Sequence, residues 1–142
     1  MITWALDTDH LSILERGGSA ALPLQMRMGQ VVGYEIGTTI VSYEEQMRGW
    51  LAYAAQARTP ERLIQAYSRL ELHIQTFRDT PLLPYNVLAA DEFERLQQAH
   101  IRIGTSDLRI AAICLANDAT LLTRNLKDFG KVPGLRAEDW SA

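Results

Sequence analysis

A chain of 142 residues, 47% of them hydrophobic and 22% charged, has material for one compact core and little room for a second, so general disorder is excluded. No apolar run reaches the roughly 18–20 residues a bilayer crossing needs, and the opening Met1-Ile2-Thr3-Trp4-Ala5-Leu6-Asp7 meets an acid with no basic n-region before it, which points to the cytoplasm. The net charge of −3 argues against a tight, nonspecific grip on a nucleic-acid backbone, but not against a nuclease acting locally through bound cations.

Thr3 to Leu6 is a short apolar run that predicts a buried first strand ending at Asp7. Thr8 or Asp9 can cap a short helix carrying Leu11, Ile13 and Leu14, stopped by Gly17-Gly18, and a second helix covers Ala20 to Met28. The β-branched run Ile36 to Val41 predicts a strand, with Ser42 capping the helix that follows. In that helix Tyr43, Met47, Trp50, Leu51 and Ala54 recur as a core-facing stripe. Thr59-Pro60 starts a long helix whose stripe is Leu63, Tyr67, Leu70, Ile74 and Phe77. A short strand from Pro81 to Tyr85 follows, then a helix capped by Asn86 and running to about His100. The last predicted elements are a helix over Asp107 to Asn117, a strand over Thr120 to Thr123, and a short strand near Leu135 to Ala137.

Strands alternating with helices imply a single α/β domain over residues 1–142, with a mostly parallel sheet covered on both faces. Chemistry in such sheets gathers at the carboxyl ends of strands. Asp7 and Asn125 fall at such ends.

Three acids lie at junctions: Asp7 at a strand end, Glu45 in the first turns of a helix, and Asp107 opening another. Carboxylates gathered by folding repel one another unless a cation joins them, and hard divalent ions prefer oxygen ligands. Such an ion supports phosphodiester hydrolysis without a serine triad. Each acid also has a plain structural role: Asp107 as a helix-start acid favoured by the dipole, Asp7 as a strand-end residue, Glu45 as a surface glutamate. Glu45 lies opposite the Tyr43 and Trp50 stripe with Gly49 and Ala52, on a side that is either solvent or a face open to close approach. Asp9 reads as a helix cap and Asp128 as a turn acid, while Asn125 either offers a neutral oxygen or satisfies a turn. Cys114 is the only cysteine and sits in an apolar run, and the three histidines have no ligand spacing, so no disulfide and no zinc site are expected.

Four segments then resemble the PIN-domain family, and within it the VapC-type toxins. Leu6-Asp7-Thr8-Asp9-His10-Leu11-Ser12 is similar to the opening motif, and Thr39 to Gly49 to the second, whose acid four residues before a glycine selects Glu45 over Glu44. Ile103 to Ala112 resembles the third motif, and Thr120 to Phe129 with Val132-Pro133-Gly134-Leu135 the C-terminal segment. The resemblance implies a three-layer α/β/α sandwich, dependence on Mg2+ or Mn2+, endonuclease action on RNA, toxin function, a cognate antitoxin and a homodimer. It makes Asp7, Glu45 and Asp107 the catalytic metal ligands. The fourth acidic position is Asn125 here, so either Asn125 binds a second metal weakly, Asp128 assists, or one metal binds tightly. Asn86, where relatives often carry Asp, is explained by capping.

Rival readings are a catalytically inactive interaction module on the same fold and a DNA-directed nuclease. A phosphotransferase of the haloacid-dehalogenase type shares Asp7-Thr8-Asp9 but would place Thr or Val where Leu11 stands. The five apolar residues Leu11, Leu14, Leu22, Met26 and Met28 predict either core packing or a groove for an antitoxin helix.

Overall fold

The computed structural model describes residues 1–142, apart from the side chain of Tyr34. Strand β1 (Trp4–Leu6) leads into helix α1 (Thr8–Arg16), and α2 (Leu22–Met28) leads by a short turn to β2 (Ile36–Thr39). Helices α3 (Ile40–Gln56) and α4 (Pro60–Arg78) then form an antiparallel pair before the short β3 (Leu82–Leu83). After α5 (Val87–Gln98) and α6 (Thr105–Ala116) come β4 (Thr120–Leu122), the single-turn α7 (Leu126–Phe129) and β5 (Ala137–Glu138).

The five strands are all parallel, in the order β3-β2-β1-β4-β5. Successive side chains on a strand point to opposite faces, and the core divides accordingly. Ala5 and Leu121 pack with α5 and α6 residues such as Leu96, Ile110 and Ile113. Leu6 and Leu122 pack on the other face with Leu11, Leu24, Phe77 and Trp140. Gly37 of β2 lets β3 come close: a Cβ there would stand 2.6 Å from the Pro81 carbonyl oxygen.

Several boundaries differ from expectation for local reasons. The strand predicted to reach Val41 stops at Thr39, whose hydroxyl, not that of Ser42, caps α3 by accepting from Ser42 N at 3.0 Å. Asp7 itself, rather than Thr8 or Asp9, caps α1. The segment from Ala20 begins as a tight turn, and the helix starts at Leu22. The last strand lies at Ala137–Glu138, later than its expected place.

Two helical faces also differ. Val41, Ser42 and Gln46 form the buried side of α3, and Leu51 is exposed. On α4 the buried residues are Ala66, His73 and Phe77, while Leu63, Tyr67 and Ile74 face solvent. Small Ala66 and flat His73, which stacks on Tyr43 with centroids 5.2 Å apart, allow α4 to approach α3 along that side.

Candidate active site

The sheet order places neighbouring β1 and β4 at the point where the chain winding reverses, the place beyond whose carboxyl ends α/β sheets gather their ligands. Asp7 follows β1 and Thr123 follows β4, and both are buried. The Asp7 backbone N–H donates to the Leu122 carbonyl at 2.9 Å, fixing the acid against β4. Both carboxylate oxygens are held: one accepts from Thr8 N and the other from Thr123 Oγ1, each at 2.8 Å.

Glu45 enters from α3. Because Thr39 starts that helix directly at the end of β2, the Glu45 side chain arrives over α1, where its Oε1 accepts from Thr8 Oγ1 at 2.8 Å. Thr8 therefore touches two of the acids, through its amide and its hydroxyl. Asp107 lies in the first turn of α6, where the helix dipole favours a negative charge. It is half-buried, as is Glu45, whereas Asp7 is 6% exposed.

These carboxylates act on one another. Burial, then the Asp9 charge, pushes Asp7 up to about 7 against the opposing hydrogen bonds of Thr123 and Thr8, with Asp107 adding to the rise. Burial also raises Asp107, helped by the charges of Glu45, Asp128 and Asp9. Asp7, Glu45 and Asp107 thus share one electrostatic environment with no basic side chain among the causes of either shift. Among the described residues, no three His, Cys, Asp or Glu side chains stand close enough together to hold a metal ion in this arrangement. The donors are hard carboxylate oxygens, the kind Mg2+ or Mn2+ takes together with water.

Asn125 and Asp128 are bonded to each other. Asn125 caps α7, accepting from Asp128 N at 3.4 Å, and its amide donates to Asp128 Oδ2 at 3.2 Å. That bond and Lys131 hold Asp128 below the usual carboxylate range. Asp128 nevertheless reaches the acid group as a contributor to the Asp107 shift. Ser106 stands half-buried beside Asp107, and Arg124 is exposed at the rim.

Sequence reasoning missed the part played by Asp9. Its Oδ2 accepts from Arg124 N at 2.9 Å and from Thr123 Oγ1 at 3.3 Å, while Oδ1 meets His10 Nδ1 at 2.7 Å. His10 is fully buried and its Nε2 accepts from Trp140 N, which places the ring proton on Nδ1 and ties the C-terminal segment to the site. Only the partners of Asp9, remote along the chain, distinguish it from an ordinary cap.

The fold of the chain has counterparts among solved structures. It aligns over 100% of its length with 100% of a chain in the structure of VapBC-1 from nontypeable Haemophilus influenzae, with TM-score 0.75 and 22% identity. A chain in VapBC2 from Rickettsia felis, bound to a DNA fragment from its promoter, gives TM-score 0.70 and 21% identity over 98% of this chain and 99% of that one. A chain in FitAcB from Neisseria gonorrhoeae gives TM-score 0.73 and 17% identity, covering 97% and 98%. The fold is that of a VapC-type PIN domain.

Sequence similarity is more local. Forty-four per cent identity extends over 45 residues with the protein described as Ribonuclease VapC2 of Rickettsia felis, so the match covers 32% of this chain and 34% of that relative's length. No protein-family model matches the chain. The VapC-type resemblance of the motifs therefore accompanies a whole-chain likeness of fold and a similarity to one third of a ribonuclease. No helix among the described residues is long and apolar enough to cross a membrane.

Proposed function

We propose that this chain is a metal-dependent endoribonuclease that acts as a toxin and is held in check by a cognate antitoxin. The observation that carries the reading is the buried Asp7 carboxyl at the end of β1 beside β4, whose ionisation burial and neighbouring acids oppose. A carboxylate cluster lacking a basic partner is costly to keep charged, and a bound cation removes that cost.

In this reading Asp7, Glu45 and Asp107 hold Mg2+ or Mn2+, with Asn125 and Asp128 at the edge of the same site. When bound there, the ion supplies an ionised water and neutralises charge on the scissile phosphate. The chain's own groups do the positioning. Thr8 and Thr123 hold the Asp7 oxygens, Thr8 also steers Glu45, and Asp9 fixes the loop after β4 through Arg124 N. Thr123 is fully buried, so it orients the carboxylate and does not meet substrate; Ser106 and Arg124 are the groups placed to touch RNA. Single-stranded RNA is the favoured substrate, because its backbone bends into a cleft.

The antitoxin reading is supported by an open apolar cleft of about 500 Å³ whose lining includes Leu11, Leu14, Met28 and Ile36. Leu22 and Met26, expected in the same groove, are exposed on the surface. The homodimer has a candidate surface in the uncovered α4 stripe, where Tyr67 is 61% and Ile74 58% exposed.

The test compares matched RNA and DNA strands with Mg2+ or Mn2+. Metal-dependent cleavage of RNA, lost in Asp7→Asn with the fold intact, is expected. Full activity in Asp7→Asn, or cleavage confined to DNA, would overturn the reading.

A further inference from the structure

 An open cleft of about 610 Å³ runs from Thr8 and Glu45 along α3 to Trp50 and Tyr53. Its walls are contributed by α1, α3 and α4, and it reaches Glu45 without touching Asp7 or Asp107. Gly49 leaves the near wall open, since a Cβ there would meet nothing within 4 Å. Trp50 and Tyr53 stand edge to face with centroids 5.9 Å apart, and the Arg69 guanidinium lies 5.8 Å from the Trp50 ring centre.

The charges in this cleft are unevenly committed. Glu15 faces buried His73 at 3.5 Å and Glu45 accepts from Thr8. Among the described residues, no carboxylate lies within ion-pair distance of Arg16 or Arg69. Gln46, 7% exposed, also lines the cleft; its amide nitrogen donates to Ser12 Oγ at 3.3 Å, and its carbonyl oxygen has no partner. Arg16, bonded through Nε to the Ser12 carbonyl oxygen, and Arg69, set against the Trp50 ring, keep charges that no carboxylate neutralises; with the aromatic pair and the unpaired amide oxygen they match a single-stranded polyanion with flat bases. From Glu45 to Tyr53 the helix rises by about 12 Å, a distance covered by only a few nucleotides.

We propose that this cleft is a nucleobase subsite for the RNA: one unpaired base stacks on the Trp50 indole beside Gln46, and Arg16 and Arg69 face the flanking phosphates. The inference rests on the ribonuclease reading above and adds where the strand lies beyond the acids. Trp50 and the two arginines are positioning residues for substrate and leave the reacting atoms to the acid group.

The test uses the full chain carrying Asp7→Asn, so that RNA stays whole, and a short labelled oligoribonucleotide of mixed sequence. Adding Trp50→Ala is expected to weaken binding roughly 5- to 100-fold, the range set by loss of one base–aromatic stack. Trp50→Phe keeps most of the affinity but abolishes the RNA-dependent quenching of tryptophan fluorescence. Arg69→Ala lowers the slope of log affinity against log salt by about 0.7. Should Trp50→Ala fail to fold by circular dichroism, the Trp50→Phe quenching and the Arg69→Ala slope decide the matter. Unchanged affinity, quenching and slope would overturn the subsite while leaving metal-dependent cleavage by the parent chain standing. Absence of any RNA binding or cleavage would remove both readings. Loss of a co-expressed antitoxin from Trp50→Ala, with RNA affinity unchanged, would give the cleft to a protein partner and also overturn the proposal.

Discussion

Replacing Asp7 by Asn in metal-free protein is expected to stabilise the fold at the same time as it silences the site. Asp7 titrates near 7 in the folded chain against 3.8 for an ordinary aspartate. At about 1.4 kcal/mol for each pH unit, ionised Asp7 costs the folded state about 4 kcal/mol at pH 8. The sign follows from the raised value. As pH climbs from about 4 to about 7 the unfolded chain releases this proton before the folded chain does, so stability falls through that window and is level above it. At pH 5 the cost is only about 1.5 kcal/mol. Asn keeps the shape and an acceptor for Thr8 N, and loses part of the charge-assisted bonding to Thr123. The net gain is therefore about 2–4 kcal/mol at pH 8, shrinking to below about 1.5 kcal/mol at pH 5. Urea denaturation with a chelator present, at both pH values, measures it. Equal destabilisation at both pH values would refute the reasoning, because Asp7 would then be a structural cap and no more.

Millimolar Mg2+ should raise the melting temperature of the parent chain by several degrees and leave Asp7→Asn nearly unmoved, as a scanning fluorimeter would show. Gly37→Ala should cost about 1–3 kcal/mol in chemical denaturation, because the added carbon would stand 2.6 Å from the Pro81 carbonyl oxygen. Phe77→Ala should cost about 3–5 kcal/mol and Ile74→Ala less than about 0.5 kcal/mol in the monomer, the reverse of equal membership in one buried stripe. Asp9→Asn should lower cleavage more than stability, read as kcat against urea midpoint, because it loosens Thr123 and the Arg124 amide.

The parallel sheet and the places of Asp7 and Asp107 were legible because they depend on local signals: apolar runs ending in an acid, and an acid in a first helical turn. The Asn86 cap was legible for the same reason, its side chain accepting from Ala89 N three residues on. Helix faces were not. Leu63, Tyr67 and Ile74 make as regular a stripe as any core helix, but periodicity reports that a face is apolar and says nothing of what covers it. The burial of Ala66 and His73 depends on α3, a neighbour no local window contains. Thr39 and Ile40 misled in another way, since β-branching favours a strand while the Thr39 hydroxyl starts a helix. At the site, the bonds from Asp9 to Arg124 N and from Thr8 to Glu45 join segments far apart in the chain, so the residue types alone gave no sign of them.

A crystal structure of the chain soaked in Mn2+, with anomalous scattering recorded, tests the central claim most directly. One strong peak beyond the carboxyl ends of β1 and β4, within coordination distance of Asp7 and Asp107 and with Glu45 bound directly or through water, is the predicted result. A peak only elsewhere, or none while the three carboxylates stay apart, would contradict it.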